Sequence, residues 1–405
     1  MPASSQTGWA AEELVYCSNV HPGESLPEVL HSLQDYIAGV RKQRGLQWSG
    51  SGLWLSASLA GELVDDASAQ AGLQARLNDT GTCLFTLNGF PCGDFHAASV
   101  KQQVYQPDWS QIERYDYTLR LAGILANCLP AGISEGTIST LPLGYRPDWN
   151  RGKHEAAAQT LCRLASELHQ LYQRNGQAIR VCLEMEPGCV LESTPETIEF
   201  FTRQLPAAAE LTGTPREHID RHLGVCYDVC HQAVMFEQPS ESIAGLVAAG
   251  IHIGKIQISS ALEVTQPHAS DTRRLLQDFA EPRYLHQVRS RGSDGQLQGV
   301  MDLPDAFESE HLSREHPWRI HFHVPVQTTT LCAGALGTTQ HEICKVLDFL
   351  AANPGLHPHL EVETYTWQVL PEALRPRNDE QLIAGLATEL DWLAGELRHR
   401  GMLIE

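Results

Sequence analysis

Apolar residues gather in nine short runs along the chain: 15–20 (VYCSNV), 53–59 (LWLSASL), 83–89 (CLFTLNG), 136–141 (GTISTL), 180–186 (RVCLEME), 224–230 (GVCYDVC), 254–260 (GKIQISS), 319–324 (RIHFHV) and 360–366 (LEVETYT). Between them, apolar positions recur at helical spacing over 26–44, 153–174, 194–211, 241–249 and 340–352, and after the last run over 379–398. Short β-branched runs alternating with longer helical stretches predict βα units around a parallel sheet. Their nearly continuous apolar character fits strands buried on both faces. The stretch 284–303 (YLHQVRSRGSDGQLQGVMDL) breaks the rhythm, with Gly-Ser-Asp-Gly between two alternating runs, and predicts an inserted β-hairpin. With no internal repeat and no Pro-rich linker, the expected fold is α/β: a single (β/α)8 barrel over residues 1–405, with the hairpin as an excursion, in preference to two domains. Nine candidate strands for eight places leave one assignment wrong or outside the barrel.

Composition narrows the setting. The 405 residues, 42% of them hydrophobic, suffice for one large core. The stretch MPASSQTGWAAEELVY lacks the basic start and apolar core of an export signal, and no run of about eighteen apolar residues occurs, so a cytoplasmic protein without membrane insertion is expected. Eleven cysteines scattered through apolar runs in so long a chain read as reduced core residues. With 29 Lys and Arg against 49 Asp and Glu, the net charge of −20 disfavours nucleic acid as a partner and favours small molecules. GxGxxG, GxxxxGK[ST] and GxSxG are absent, which removes sequence support for nucleotide binding and for a serine nucleophile elbow.

In a barrel of this kind the downstream strand ends supply the site. Alternate strand residues share a face, so Glu184 with Glu186, His321 with His323, and Glu361 with Glu363 form polar doublets in otherwise apolar strands. Burying unpaired carboxylates costs several kcal/mol. A divalent cation is the simplest partner to gather them, and salt bridges across the barrel mouth are the competing explanation. Asp228 and His231, at the end of LGVCYDVCHQ, suit either a metal ligand with a second ligand beside it, or an Asp that caps the next helix and a His that packs. Lys255, Gln257 and Ser259 could form a hydrogen-bonding face. Asn19 and His21, with Asn88 and His96 in LNGFPCGDFH, are candidate contacts to a hydroxyl-rich substrate, or residues that satisfy loop backbone. Cys226 and Cys230, flanking Asp228, offer a thiolate should the metal be zinc.

These residues carry a resemblance. GVCYDVCH, an HxH run and a late VETY resemble the xylose isomerase-like superfamily of barrels, which includes sugar isomerases and epimerases and the apurinic endonuclease IV group. The resemblance implies a divalent metal (Mn, Mg or Zn) held by Glu184, Asp228 and Glu363, with His231 beside it. Gln257 stands where a His is usual, and His323 is the candidate to fill that place. Glu184, Glu363 and His231 would then be the catalytic groups, with Glu186, Glu361, Asn19, His21, Asn88 and His96 around the substrate. Over nearly the whole chain, YCSNVHPGES, TLNGFPCGDFH, KQQVYQPDW, RHLGVCYDVCHQAV, GKIQISSAL and HLEVETYTW resemble the EboE-type metabolite traffic proteins, encoded in clusters with a UbiA-type prenyltransferase. That resemblance implies a role in making or moving a secondary metabolite. Two functions follow: a metal-dependent isomerase or epimerase of a sugar- or cyclitol-like molecule, or a non-catalytic metabolite-binding component that retains the barrel. Phosphodiester hydrolysis is disfavoured by the charge, local basic residues such as Arg273, Arg274, Arg289 and Arg291 notwithstanding.

Overall fold

The computed structural model describes residues 8–404, so the first seven residues of the stretch considered as an export signal lie outside the described residues. Eight parallel strands form the central sheet: β1 (Val15–Tyr16), β2 (Ser49–Trp54), β3 (Thr82–Asn88), β4 (Glu135–Thr140), β5 (Ala178–Glu184), β6 (Leu223–Asp228), β7 (Ile253–Ile258) and β8 (His359–Val362). They pair in the order β1-β8-β7-β6-β5-β4-β3-β2, and a parallel bridge between Cys17 and Gly52 joins β1 to β2 and closes the ring. Helices lie between successive strands and after the last, the longest being Arg151–Asn175 and Asp379–His399, so the fold is a (β/α)8 barrel. These two helices start where an Asn side chain, Asn150 or Asn378, accepts the N–H of the third helical residue. All eleven cysteines are free thiols. Among the described residues no helix is long and apolar enough to cross a membrane.

Between β7 and β8 the chain leaves the barrel and builds a separate six-stranded sheet, in the order Leu297–Val300, Val288–Arg291, Trp318–Ile320, Leu262–Val264, Leu336–Thr338, Thr330–Leu331. The expected hairpin is present, with Val288 across from Val300 and Gly295 left-handed at the turn (φ 79°), but it is only the edge of this larger insertion. The run 319–324, expected as a barrel strand, is corrected here. Only Trp318–Ile320 is strand, and it pairs antiparallel with Val288–Arg291 and Leu262–Val264. Its alternation of polar and apolar residues does not separate it from the barrel, since β7 (IGKIQI) and β8 (HLEV) alternate as well; its antiparallel partners do.

Two other boundaries move for local reasons. The second strand is Ser49–Trp54, upstream of the expected 53–59, because Ser56 caps the helix Ala57–Asp65 by accepting the Leu59 N–H at 3.1 Å. Glycines in SGSGLW hide this strand from a pattern reading, yet Gly52 is required: a Cβ there would stand 1.5 Å from Glu361 Oε1. Likewise β6 stops at Asp228 and Cys230 falls on the helix Val229–Val234, so Cys226 and Cys230 do not share a strand face.

The C-terminal helix is tied to the downstream end of the barrel by one buried carboxylate. Glu389 accepts the Val326 N–H (3.1 Å), the Thr364 hydroxyl (2.6 Å) and the Trp367 indole N–H (2.9 Å). Burial outweighs these donors and raises its carboxyl to about 7. A raised acid favours folding fully below its ordinary pKa and loses that contribution as pH rises through 7. Glu389→Gln removes the titration, so the variant's melting temperature relative to wild type is expected to climb by roughly 2 °C or more between about pH 5 and about pH 8. Parallel melting curves at the two pH values would refute it.

Candidate metal centre and the cavity above it

The strand ends bring three carboxylates and three imidazoles together. Glu184 ends β5, Asp228 ends β6, Glu363 directly follows β8, and His231 sits in the first turn after β6. His321 and His323 arrive from the insertion, on the chain that continues beyond Trp318–Ile320. Donor atoms of Glu184, Asp228 and Glu363 lie within 4.8 Å of one another, as do those of Asp228, His231 and His323, of Glu186, His231 and His321, and of Cys230, His321 and His323. Asp228 thus belongs to both an oxygen-donor and a nitrogen-donor group.

The two readings of Asp228 are compatible. Its Oδ1 accepts the His231 backbone N–H (2.8 Å), capping the helix Val229–Val234, and the Ser259 hydroxyl (2.8 Å). Its Oδ2 has no partner, and neither does Glu184 Oε2, although both are buried. Glu363 Oε1 accepts the side-chain amides of Asn19 (2.8 Å) and Asn88 (3.0 Å), and Glu186 Oε1 accepts the Tyr105 hydroxyl (2.8 Å).

The imidazoles are fixed in one tautomer. Nδ1 of His231 lies 2.8 Å from the Met185 carbonyl, Nδ1 of His323 2.6 Å from the Glu363 carbonyl, and Nδ1 of His321 2.6 Å from Gln287 Oε1. Carbonyl oxygens only accept, so each Nδ1 carries the proton and each Nε2 presents a bare lone pair. These lone pairs converge: the Nε2 atoms of His231 and His321 are 3.1 Å apart, and those of His321 and His323 3.2 Å. Three acceptors with no proton between them repel unless a cation sits among them. Nδ1–H donation to a carbonyl is also how metal-binding histidines are held in place.

The electrostatics agree. Burial, reinforced by the neighbouring carboxylates, holds Glu184 and Glu363 well above the ordinary carboxyl range, and burial raises Asp228 too. Glu186 is pushed up to about 7, again by burial. Burial lowers His231 to about 3 and His323 to about 4, and with the other imidazoles it drives His321 well below 6.5. A divalent cation would reverse the carboxylate shifts while keeping the imidazoles neutral, as ligation requires. Two buried orphan oxygens and three converging nitrogens therefore fit such an ion. Mixed carboxylate and imidazole donors suit Zn²⁺, Mn²⁺ or Fe²⁺ better than Mg²⁺.

Above this cluster opens a cavity of about 530 Å³, counting its mouth. Of the candidate residues, Asn19, Asn88, Glu184, Glu186, His231 and Glu363 line it, together with His321. Three expected substrate contacts do not. His21 is buried against Tyr16 (3.0 Å from its hydroxyl) and stacks on Tyr36, His96 packs beside Trp54, and Glu361 lies deeper, 2.6 Å from Lys255 Nζ. Gln257 is fully buried, level with Asp228 and Glu361 in the strand register, and also stays out of the cavity. His321 and its partner Gln287 were not among the expected site residues. The HxH doublet signals the first, whereas nothing in the sequence ties Gln287 to it.

No protein-family model and no curated protein matches the chain. Solved structures with a similar chain course include an L-ribulose 3-epimerase (12% identity, TM-score 0.48, 96% of this chain and 95% of that one). A xylose isomerase domain protein from Planctomyces limnophilus matches at 13% identity (TM-score 0.47, 89% and 92%). The IolI protein with a bound zinc atom matches at 12% identity (TM-score 0.43, 95% and 98%). These are likenesses of chain course, and the reading of the site rests on its own geometry.

Proposed function

We propose that the protein is a divalent-metal-dependent isomerase or epimerase that moves a proton between neighbouring carbons of a sugar- or cyclitol-like small molecule. The observation that carries the reading is the convergence of three Nε2 lone pairs and two orphan carboxylate oxygens at the downstream strand ends. Glu184, Asp228 and Glu363, with His323 and His231, would hold the ion. When bound, it polarises a substrate carbonyl or hydroxyl. Glu363, fixed by Asn19 and Asn88, and Glu184, with a free oxygen, would take and return the proton. Glu186, steered by Tyr105, would orient substrate hydroxyls, as would His231 if its Nε2 is left off the ion. Service to a secondary-metabolite cluster of the EboE kind and cooperation with a UbiA-type prenyltransferase belong to the same proposal, supported by sequence phrases alone, as does a cytoplasmic location, supported by the lack of an export-signal pattern.

The test is solvent exchange. Metal-loaded protein in D2O with a panel of ketoses, aldoses and keto-cyclitols should place deuterium on a carbon next to a carbonyl, and Glu363→Gln should slow this by about 10²-fold or more. Full metal content with no deuterium in any of them would replace the enzyme reading by a metabolite-binding component.

A further inference from the structure

The cavity's walls have a different chemistry from its floor. Phe90, Phe95, Tyr105, Tyr284, Leu285 and Tyr365 stand above the carboxylates. Phe95, Tyr284 and Tyr365 pack ring to ring, with centroids 5.0 to 5.6 Å apart. Two of the three wall phenols are engaged elsewhere, Tyr105 donating to Glu186 at 2.8 Å and Tyr284 to the Phe95 carbonyl at 3.2 Å, and Tyr365 is the third. The N–H groups of Val100 and Lys101 both donate to the Arg283 carbonyl (2.7 and 2.9 Å). Among the described residues lining the cavity, the one cation is Lys101, and it lies 2.5 Å from the Asp302 carboxylate.

Apart from the proposed ion, a phosphate group would therefore meet three floor carboxylates and no side-chain cation free of a carboxylate partner. A molecule hydroxylated along its whole length would leave most of its outer hydroxyls against ring carbon, with the Tyr365 hydroxyl as the one wall phenol able to meet them. We infer that the substrate is unphosphorylated and amphipathic, with a polyol or keto head on the Glu184 and Glu363 floor and a flat aromatic group against Phe95, Tyr284 and Tyr365. The head rests on the function proposed above; the aromatic end rests on the walls alone.

Calorimetric titration tests this with paired phenyl and methyl β-glycosides of glucose, galactose and xylose, and with glucose 6-phosphate, on wild type, Phe95→Leu, Tyr365→Leu and Asp228→Asn. At least one phenyl glycoside is expected to bind about tenfold or more tighter than its methyl partner, and glucose 6-phosphate weakest. Either Leu variant should shrink the phenyl preference severalfold, and Phe95→Leu should leave the methyl glycoside unchanged, whereas Tyr365 also packs on His323. Two Leu variants are used because Phe95 also packs in a buried cluster with Trp54. No phenyl preference in any pair, absence of phenyl binding included, or tighter binding of the phosphate overturns the inference. A phenyl preference that persists in Asp228→Asn, with no deuterium exchange in wild type, would sink the proposed reaction and leave the aromatic end standing. Exchange without phenyl preference would do the reverse.

Discussion

Asp228→Asn is expected to cut the divalent metal retained after purification and dialysis by at least about tenfold while leaving the protein folded. The two oxygens of Asp228 have separate tasks. Oδ1 accepts the His231 N–H and the Ser259 hydroxyl, and an Asn carbonyl does both equally well, so the start of helix Val229–Val234 survives. Oδ2 is buried and unpartnered, Asp228 belongs to both donor groups, and the substitution exchanges an anionic ligand for an amide. In metal-free protein the same change relieves repulsion, since Asp228 helps push Glu184 and Glu363 upward. The metal-free variant should therefore melt no lower than metal-free wild type, and elemental analysis beside thermal melting separates ligand loss from unfolding. Wild-type-like metal content in the variant would show that the ion, if bound, is held elsewhere.

Much of this site was legible because barrel strands are apolar and any charged residue in one stands out. Glu184, Asp228 and Glu363 are visible for that reason, and the downstream ends of parallel strands say where they point. Two kinds of information were missing. Alternation gives a side chain's face and not its depth: Glu361 and Glu363 share a face, but two residues separate them by about 7 Å along the strand. That distance puts Glu363 on the cavity floor and Glu361 one layer down, beside Lys255. The other gap concerns partners from distant segments. Tyr105, from the loop after β3, and Gln287, from the insertion, orient Glu186 and His321, and no local pattern links them. The insertion was read as a hairpin because its other strands are only two or three residues long, and the one that did register, within 319–324, read as a barrel strand.

Lys255→Met is expected to destabilise the protein by about 3–5 kcal/mol, measured by chemical denaturation. Lys255 and Glu361 are both fully buried in the barrel, with Nζ 2.6 Å from Oε2 and 3.3 Å from the Ser139 hydroxyl. Burial alone would lower the Lys255 amine, yet Glu361 beside it prevails and the net shift is upward, the mark of a charged pair. Removing the lysine strands a carboxylate where Gly52 leaves room for its oxygen and nothing else compensates it. Removing both charges, in Lys255→Met with Glu361→Gln, should restore most of the loss, because the large penalty comes from the unpaired ion and not from the absent pair. The double variant is also expected to keep its metal, since Glu361 lies below the donor cluster, whereas Asp228→Asn loses it. Loss of metal from the double variant at full stability would move Glu361 from the barrel's framework into the site.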